Sequence, residues 1–274
     1  MMPIVCIYHA NCADGFSAAW VVLKALGKDV EFHPASYGDP PPNVTKKFVI
    51  MVDFSYKRPV LLEMAERAAV ILVLDHHKSA EEDLRDLPSN VVAKFDMEHS
   101  GAMMAWKHFF PDREPPRLLN HIEDRDLWRF RLPYTREIQA CLFSYPYEFY
   151  VWDTLMATDT EVLAGEGAVI ERKHLKDIRE LLGVMTRKMT IGGYDVPVAN
   201  LPYTLSSDAC HVMAENEPFA ACYYDKPGYR NFGLRSSNDG IDVSEIAKGY
   251  GGGGHRHAAG FRVELSRLLE EGLL

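Results

Sequence analysis

The stretch Val70-Ile71-Leu72-Val73-Leu74-Asp75-His76-His77 decides the reading of this chain. Five apolar residues in a row, three of them β-branched, suit a strand buried on both faces, the place of a central strand in a parallel sheet. A carboxylate and two imidazoles then follow at once. Packing gives no reason for such residues at the end of a buried strand. Imidazole mixed with carboxylate is a donor set for borderline-to-hard divalent cations such as Mn2+.

Upstream the same grammar repeats. Residues 4–9 are apolar and β-prone, and they lead into His9-Ala10-Asn11-Cys12-Ala13-Asp14-Gly15. Residues 47–54 (KFVIMVDF) form a second expected strand with Asp53 at its end. Helical patterns separate these strands. One covers 16–26 and is closed by Gly27. Another covers 58–69 with Pro59 in its first turn, where proline is tolerated. A third starts at Ser100, a good N-cap, and runs to about Phe110. Strands alternating with helices imply βαβ units and a parallel sheet, an α/β fold. In such sheets ligands bind beyond the carboxyl ends of the strands. His9, Asp14, Asp53, Asp75, His76 and His77 all belong to that edge. Asp124 and Asp126, in the run HIEDRDLW, extend the set. Such a set could hold two cations, and two cations ~3.5–4 Å apart can clamp an in-line phosphoryl displacement.

The rest of the chain has a different texture. Residues 122–146 are rich in aromatics, Arg and Pro. The aromatic set Phe143, Tyr145, Tyr147, Phe149, Tyr150 and Trp152 is read as local core or an interdomain contact in preference to a base-stacking platform. A long helix is expected over 161–182, with Thr158 and Glu161 as a capping box. From residue 188 strands are expected at 190–199, 219–224 and 232–235, with helices at 207–215 and after Asp242, where Glu245 completes a second capping box. The expected domains are therefore 1–150, a helical linker 151–187, and 188–274. The last region carries Gly252-Gly253-Gly254-His255, whose glycines would let backbone N–H groups approach an anion. Arg235 would offer a fork for a phosphate.

Composition narrows the class of partner. In 274 residues, 30 Lys and Arg stand against 39 Asp and Glu, a net charge of −9. Long duplex nucleic acid, which needs many basic contacts, is an unexpected ligand; a short phosphorylated one is expected. With 47% hydrophobic and 25% charged residues the chain reads as a globular protein. No apolar run nears the ~18 residues of a membrane span, so no membrane partner is expected. The start lacks a basic and then apolar leader, so no secretory signal is expected. Five scattered cysteines without CxxC spacing point to a reducing, cytoplasmic location.

These residues resemble the DHH superfamily of phosphoesterases, in the branch with a C-terminal DHHA1 domain. His9 with Asp14-Gly15 is similar to the first motif, Asp53 to the second, and Asp75-His76-His77 to the third. Ser100-Gly101-Ala102 is similar to the helix start that follows, and Asp124 to the fourth motif, with Asp126 as its alternative. Gly252-Gly253-Gly254-His255 through Ala258-Ala259-Gly260 is similar to the DHHA1 signature. The chain departs from the pattern where Cys12, beside Asn11, stands in place of the first motif's earlier Asp.

The resemblance implies a parallel-sheet DHH domain, a helical linker, a smaller mixed-sheet domain, and an active cleft between the two domains. It implies two Mn2+ ions, or Mg2+, held by His9, Asp14, Asp53, His76 and Asp124, with Asp53 bridging. His77 would face the substrate phosphate, Asp75 would orient the histidines, and His255 with the glycine backbone and Arg235 would bind a phosphate. The expected activity is hydrolysis of short oligonucleotides or linear or cyclic dinucleotides by a metal-activated water. A phosphomonoesterase or pyrophosphatase, and a catalytically weak nucleotide-binding module, are the alternatives. The oligomeric state, a homodimer included, is left open.

Overall fold

Strand β1 (Ile4–His9) lies between β2 (Val30–Ala35) and β3 (Phe48–Val52), and β4 (Val70–Asp75) and β5 (Val91–Phe95) continue the sheet. The order is β2-β1-β3-β4-β5, with every pairing parallel. The structure, a computed structural model, describes residues 2–274. Helices α1 (Ala13–Leu26), α2 (Arg58–Arg67), α3 (Lys78–Asp83) and α4 (Gly101–Phe109) connect or follow these strands. The chain then continues through α5 (Arg117–Asp126), α6 (Thr135–Phe143) and α7 (Phe149–Ala157) into the long α8 (Thr160–Met185). No helix among the described residues is long and apolar enough to cross a membrane.

Both faces of the sheet are covered, as a parallel sheet requires. On β1, Cys6 and Tyr8 point into one core with Trp20, Trp106, Leu119 and Trp152. Val5 and Ile7 point into the other, with Leu61, Met64 and Val73. The alternation of strand side chains makes this division. Strand 70–75 is buried from Ile71 to Asp75, as its apolar run predicts.

Two strands carry no clear sequence signature, and both are at the edges. β2 contains Pro34, tolerated where one side of the strand has no partner. β5 buries only part of its length and so lacks the continuous apolar run. Helix α1 starts at Ala13, three residues earlier than expected, and this buries Asp14 on its first turn.

The chain divides into two compact units, residues 1–171 and 172–274. Of the stretch 151–187 expected as a linker, Trp152, Leu155, Leu163 and Ala164 lie in the core of the first unit. Ile178 lies in a core of the second. The aromatic segment behaves partly as expected: Phe149 and Trp152 pack on Phe16, whereas Phe143 and Tyr150 are exposed. The cap of α8 differs from the expected Thr158 box. Asp159 Oδ1 accepts from Glu161 N at 3.0 Å, while the Thr158 hydroxyl donates to Thr154 O at 2.8 Å.

The second unit is a mixed six-stranded sheet. β6 (Thr186–Ile191), β7 (Tyr194–Asn200), β8 (Ala220–Lys226), β9 (Tyr229–Arg235), β10 (Gly253–His255) and β11 (Ala258–Glu264) stand in the order β10-β11-β9-β8-β7-β6. Only β7 and β8 pair in parallel. Helices α9 (Tyr203–Met213) and α10 (Val243–Gly249) complete it. The expected single strand 190–199 is the tail of β6 and most of β7, folded as a hairpin. Gly192 and Gly193 both have positive φ (57° and 85°), the requirement of a two-residue hairpin turn. Asp242 caps α10 as expected, accepting from Ser244 N at 3.0 Å, and Glu245 pairs with Lys248 one turn on.

Two glycines of α8 give opposite expectations. A Cβ on Gly167 would lie 1.7 Å from Glu137 O of α6, whereas one on Gly165 meets nothing within 4 Å. Gly167→Ala should therefore destabilise the protein by roughly 1–3 kcal/mol through overpacking. Gly165→Ala should stabilise it by about 0.5–1 kcal/mol through helix propensity. Denaturant melts of the two variants check this pair.

Candidate metal centre

The sheet order reverses direction at β1. The chain moves outward from β1 to β2, then returns to place β3 on the other side, and this switch opens a crevice at the carboxyl ends of β1 and β3. His9 ends β1, and Asp53 follows β3 directly. Asp53 has φ of 54°, unusual for a residue with a side chain, and its N–H donates to Leu74 O at 2.9 Å. Its carboxylate is thereby turned to the switch point. One strand further, β4 delivers Asp75, His76 and His77 to the same edge.

The donors converge. His76 Nε2 lies 3.0 Å from Asp53 Oδ1, 3.8 Å from Asp14 Oδ2 and 3.5 Å from Asp126 Oδ2. His9 Nδ1 is 3.6 Å from Asp53 Oδ2. Within the first unit, two groups have ligand atoms all within 4.8 Å of one another: Asp14, Asp53 and His76, and His9, Asp53 and His77. Asp53 is common to both, the place a bridging carboxylate would hold. Asp14, Asp53 and His76 are each about 1% exposed. The Oδ2 atoms of Asp53 and Asp126 are buried and take no hydrogen bond. Buried carboxylate oxygens without donors are costly unless a cation meets them.

Helix α4 closes the pocket from the other side. Ser100 caps it, accepting from Met103 N. Asp14 accepts from Gly101 N at 2.6 Å and Ala102 N at 3.1 Å, so the helix N-terminus fixes its carboxylate. Gly101 has no alternative here, since a Cβ would lie 2.4 Å from Asp53 Cβ and 2.9 Å from Asp14 Oδ2.

Crowding sets the charge state. Burial would depress the His76 imidazole, but Asp53, Asp126 and Asp14 outweigh it and hold it up at about 10. Burial also works to raise Asp53, yet the hydrogen bond from His76 and the nearby His9 ring keep it well below the usual carboxylate range. Asp14 is pushed well up by burial and by the charges of Asp53 and Asp126. Burial raises Asp126 as well. The Cys12 thiol, at the N-cap of α1, is driven well above its ordinary value by burial and then by Asp53, Asp126 and Asp14. That shift is opposite to the one a thiolate nucleophile needs.

Asp75 supports the centre from below. It is fully buried, accepts from Ser55 Oγ at 2.9 Å and from the N–H groups of His76 and His77, and meets His77 Nδ1 at 2.7 Å. Its carboxyl stays low because His77, then His76, outweigh burial, so Asp75 is the acceptor and Nδ1 the donor. Asp75 thus orients the ring of His77, and the backbone alone of His76. Ser55 has no sequence signal, being one serine in a loop.

Asp124 and Asp126 stand in different surroundings. Asp124 does not face the donors. Its oxygens accept from Arg131 N (2.8 Å), Leu132 N (3.1 Å) and Thr135 Oγ1 (2.6 Å). Asp126, two residues on at the end of α5, is the one that reaches His76. On a helix, residues two apart point to different sides, so only one of them can face the crevice.

In the second unit, the glycine segment is a strand. Gly253 to His255 pair antiparallel with Ala258 to Gly260. A Cβ on Gly252 would lie 2.1 Å from Gly260 O, and one on Gly260 2.8 Å from Phe232 O. Tight backbone packing therefore requires glycine at 252 and at 260. Arg235 ends β9, and its Nη1 donates to Leu234 O at 2.8 Å.

Two outcomes follow. Asp126→Ala should lower divalent-metal affinity at least about tenfold and spare the fold, while Asp124→Ala should cost roughly 2–3 kcal/mol of stability through the lost acceptor. Calorimetric titration with Mn2+ and thermal melts separate the two. The second outcome concerns pH. A raised imidazole contributes stability that is complete below its unfolded value of ~6.5 and is lost as pH rises through about 10. The raised Asp14 and Asp126 act in the same direction. In EDTA the melting temperature should fall between those limits, and Mn2+ should suppress the fall.

No family model matches the chain. An uncharacterized protein of Acanthamoeba polyphaga mimivirus is 32% identical over 286 residues and covers 93% of this chain, which spans 66% of that protein's length, just under two thirds. Among solved structures, the DHH domain of a member of a ribosomal-protein family matches with a TM-score of 0.60 and 15% identity, covering 98% of this chain and 84% of that one. A pGpG-specific phosphodiesterase from Vibrio cholerae matches at 0.51 and 14%, covering 97% and 95%. RecJ from Thermus thermophilus, solved with Mn2+, matches at 0.52 and 16%, covering 98% and 50%. The chain thus shares the fold of these structures, a solved DHH domain among them, and carries the triplet Asp75-His76-His77 at the end of β4.

Proposed function

We propose that the protein is a divalent-metal-dependent phosphoesterase that hydrolyses phosphodiester bonds in short oligonucleotides or in linear or cyclic dinucleotides. One observation carries this reading: Asp53 is shared by two donor groups, and its buried Oδ2 has no hydrogen-bond donor. The donor set fits two hard or borderline cations, Mn2+ foremost, with Mg2+ as the alternative. Asp14, Asp53, His76 and Asp126 would hold one, and His9 with Asp53 the other. Such ions supply Lewis acidity, which lowers the pKa of water and neutralises phosphate charge.

The chain's own groups do the remaining work. Asp75 fixes the tautomer of His77, and its charge, outweighing burial, raises the His77 imidazole. A protonated His77 would donate to the phosphate and then to the departing oxygen. Asp14, anchored on the α4 amides, keeps the centre rigid when charge builds on phosphorus. His255, Arg235 and the backbone at Gly252, Gly253 and Gly254 would bind a second phosphate of the substrate. The net charge of −9 favours a short substrate over a long duplex. The dinucleotide substrate in the name of the Vibrio cholerae phosphodiesterase supports the same size class.

The test is release of mononucleotides from dinucleotides and short RNA in Mn2+ and in Mg2+. His77→Ala should lower kcat by about 10²–10⁴-fold, and Asp75→Asn by about 10–100-fold, with smaller changes in KM. Equal turnover in His77→Ala and the wild type would refute the assignment.

A further inference from the structure

A cavity of about 530 Å³ opens in the first unit where α5, the loop 127–134 and the start of α8 meet. That volume suits a small organic ligand. None of His9, Asp14, Asp53, His76 or Asp126 lines it. Its wall carries Arg117, Arg129, Arg131, His121, Asn120 and Tyr134. Arg129 is committed to Glu98 and Glu123. Arg117 and Arg131 are exposed, and their guanidinium groups have no partner among the described residues. Two acidic groups on the wall are already satisfied from within. Glu123 accepts from Ser100 N and meets His99 and Arg129, and Asp124 holds the loop 131–135. Glu161 is the acidic group that remains.

The loop is built against backbone preference. Trp128, Phe130 and Tyr134 have φ of 54°, 47° and 66°, a region that bulky side chains rarely enter. Such strain persists only where the surroundings impose it, and it gathers at ligand clamps. Here Asp124 imposes it, through its carbonyl, which accepts from Arg129 N and Phe130 N, and through its carboxylate. Arg125 lies 4.1 Å over Trp128, and Arg136 lies 3.8 Å over Phe130, so two of the three rings are covered. The third, Tyr134, is 59% exposed and stands on the cavity wall. An exposed ring beside two unpaired arginines is the chemistry that takes a base on its face and a phosphate in a guanidinium fork.

We propose that this cavity binds a 5′-phosphorylated nucleotide, with the base on Tyr134 and the phosphate on Arg117 and Arg131. The site is separate from the metal centre. The nucleotide comes either from solution or from the distal part of an oligonucleotide.

Binding of AMP, adenosine, inorganic phosphate and a 5′-phosphorylated tetraadenylate to the full chain in EDTA tests the proposal without reference to hydrolysis. AMP should saturate one site, adenosine and phosphate should each bind more weakly, and Asp53→Ala should leave AMP binding unchanged. Arg131→Glu should weaken AMP at least about tenfold. Tyr134→Gly should weaken it about tenfold while raising the melting temperature, because glycine relieves the strained position as the stacking ring is lost. Equal affinity for AMP and the tetranucleotide assigns the site to a free nucleotide. Tighter tetranucleotide binding that Tyr134→Gly abolishes assigns it to the substrate chain. Failure of AMP to saturate, or saturation that both variants leave intact, overturns the proposal.

Discussion

Three carboxylates crowded around one imidazole, two of them buried and the third with one oxygen out of water, are the constraint on which the rest of this structure depends. Asp14, Asp53 and Asp126 surround His76 Nε2 at 3.0–3.8 Å. Desolvated charge of one sign is costly, and only positive charge at the centre offsets it. In the metal-free protein the proton on His76 supplies part of that charge. A divalent ion held there would take the place of that proton and supply the charge in its stead. The backbone is shaped around the same requirement, in the positive φ of Asp53 and in the bare Cα of Gly101 against which Asp53 rests.

Around this centre the acidic residues divide their tasks by what they accept. Asp75 and Asp124 are both buried, and each collects several donors from its own neighbourhood. Asp75 ties Ser55, two backbone amides and a ring nitrogen together, and so gives His77 one orientation. Asp124 ties down the turn after α5 and so positions both Asp126 before it and the strained aromatic loop after it. A fully satisfied carboxylate serves as scaffold, whereas one left with an orphaned oxygen is available to a cation.

Legibility in the sequence follows burial. Strand 70–75 is legible because its burial on both faces writes an unbroken apolar run. Edge strands β2 and β5 leave no such mark, and Pro34 argues against β2. The hairpin at Gly192-Gly193 reads as one strand because apolar and β-branched residues continue on either side of it. His9, Asp14, Asp53 and His76 are recognisable from their places at strand ends, and the structure brings them together. Asp126 ranks below Asp124 in the sequence, since neither composition nor spacing tells which side of a helix end faces a crevice formed by residues more than forty positions away.

The sequence by itself determined the alternation of strands and helices, the parallel sheet it implies, and the carboxyl-edge placement of the Asp and His residues. These follow from hydrophobic periodicity and from direct succession along the chain, both of which are local. Only the tertiary structure decided the strand order that puts His9 beside Asp53, the anchoring of Asp14 on the amides of α4, and the placing of Asp126, and not Asp124, beside His76. Those depend on chain reversal and helix orientation, which are set by how two cores pack on opposite faces of the sheet and are written in no single segment.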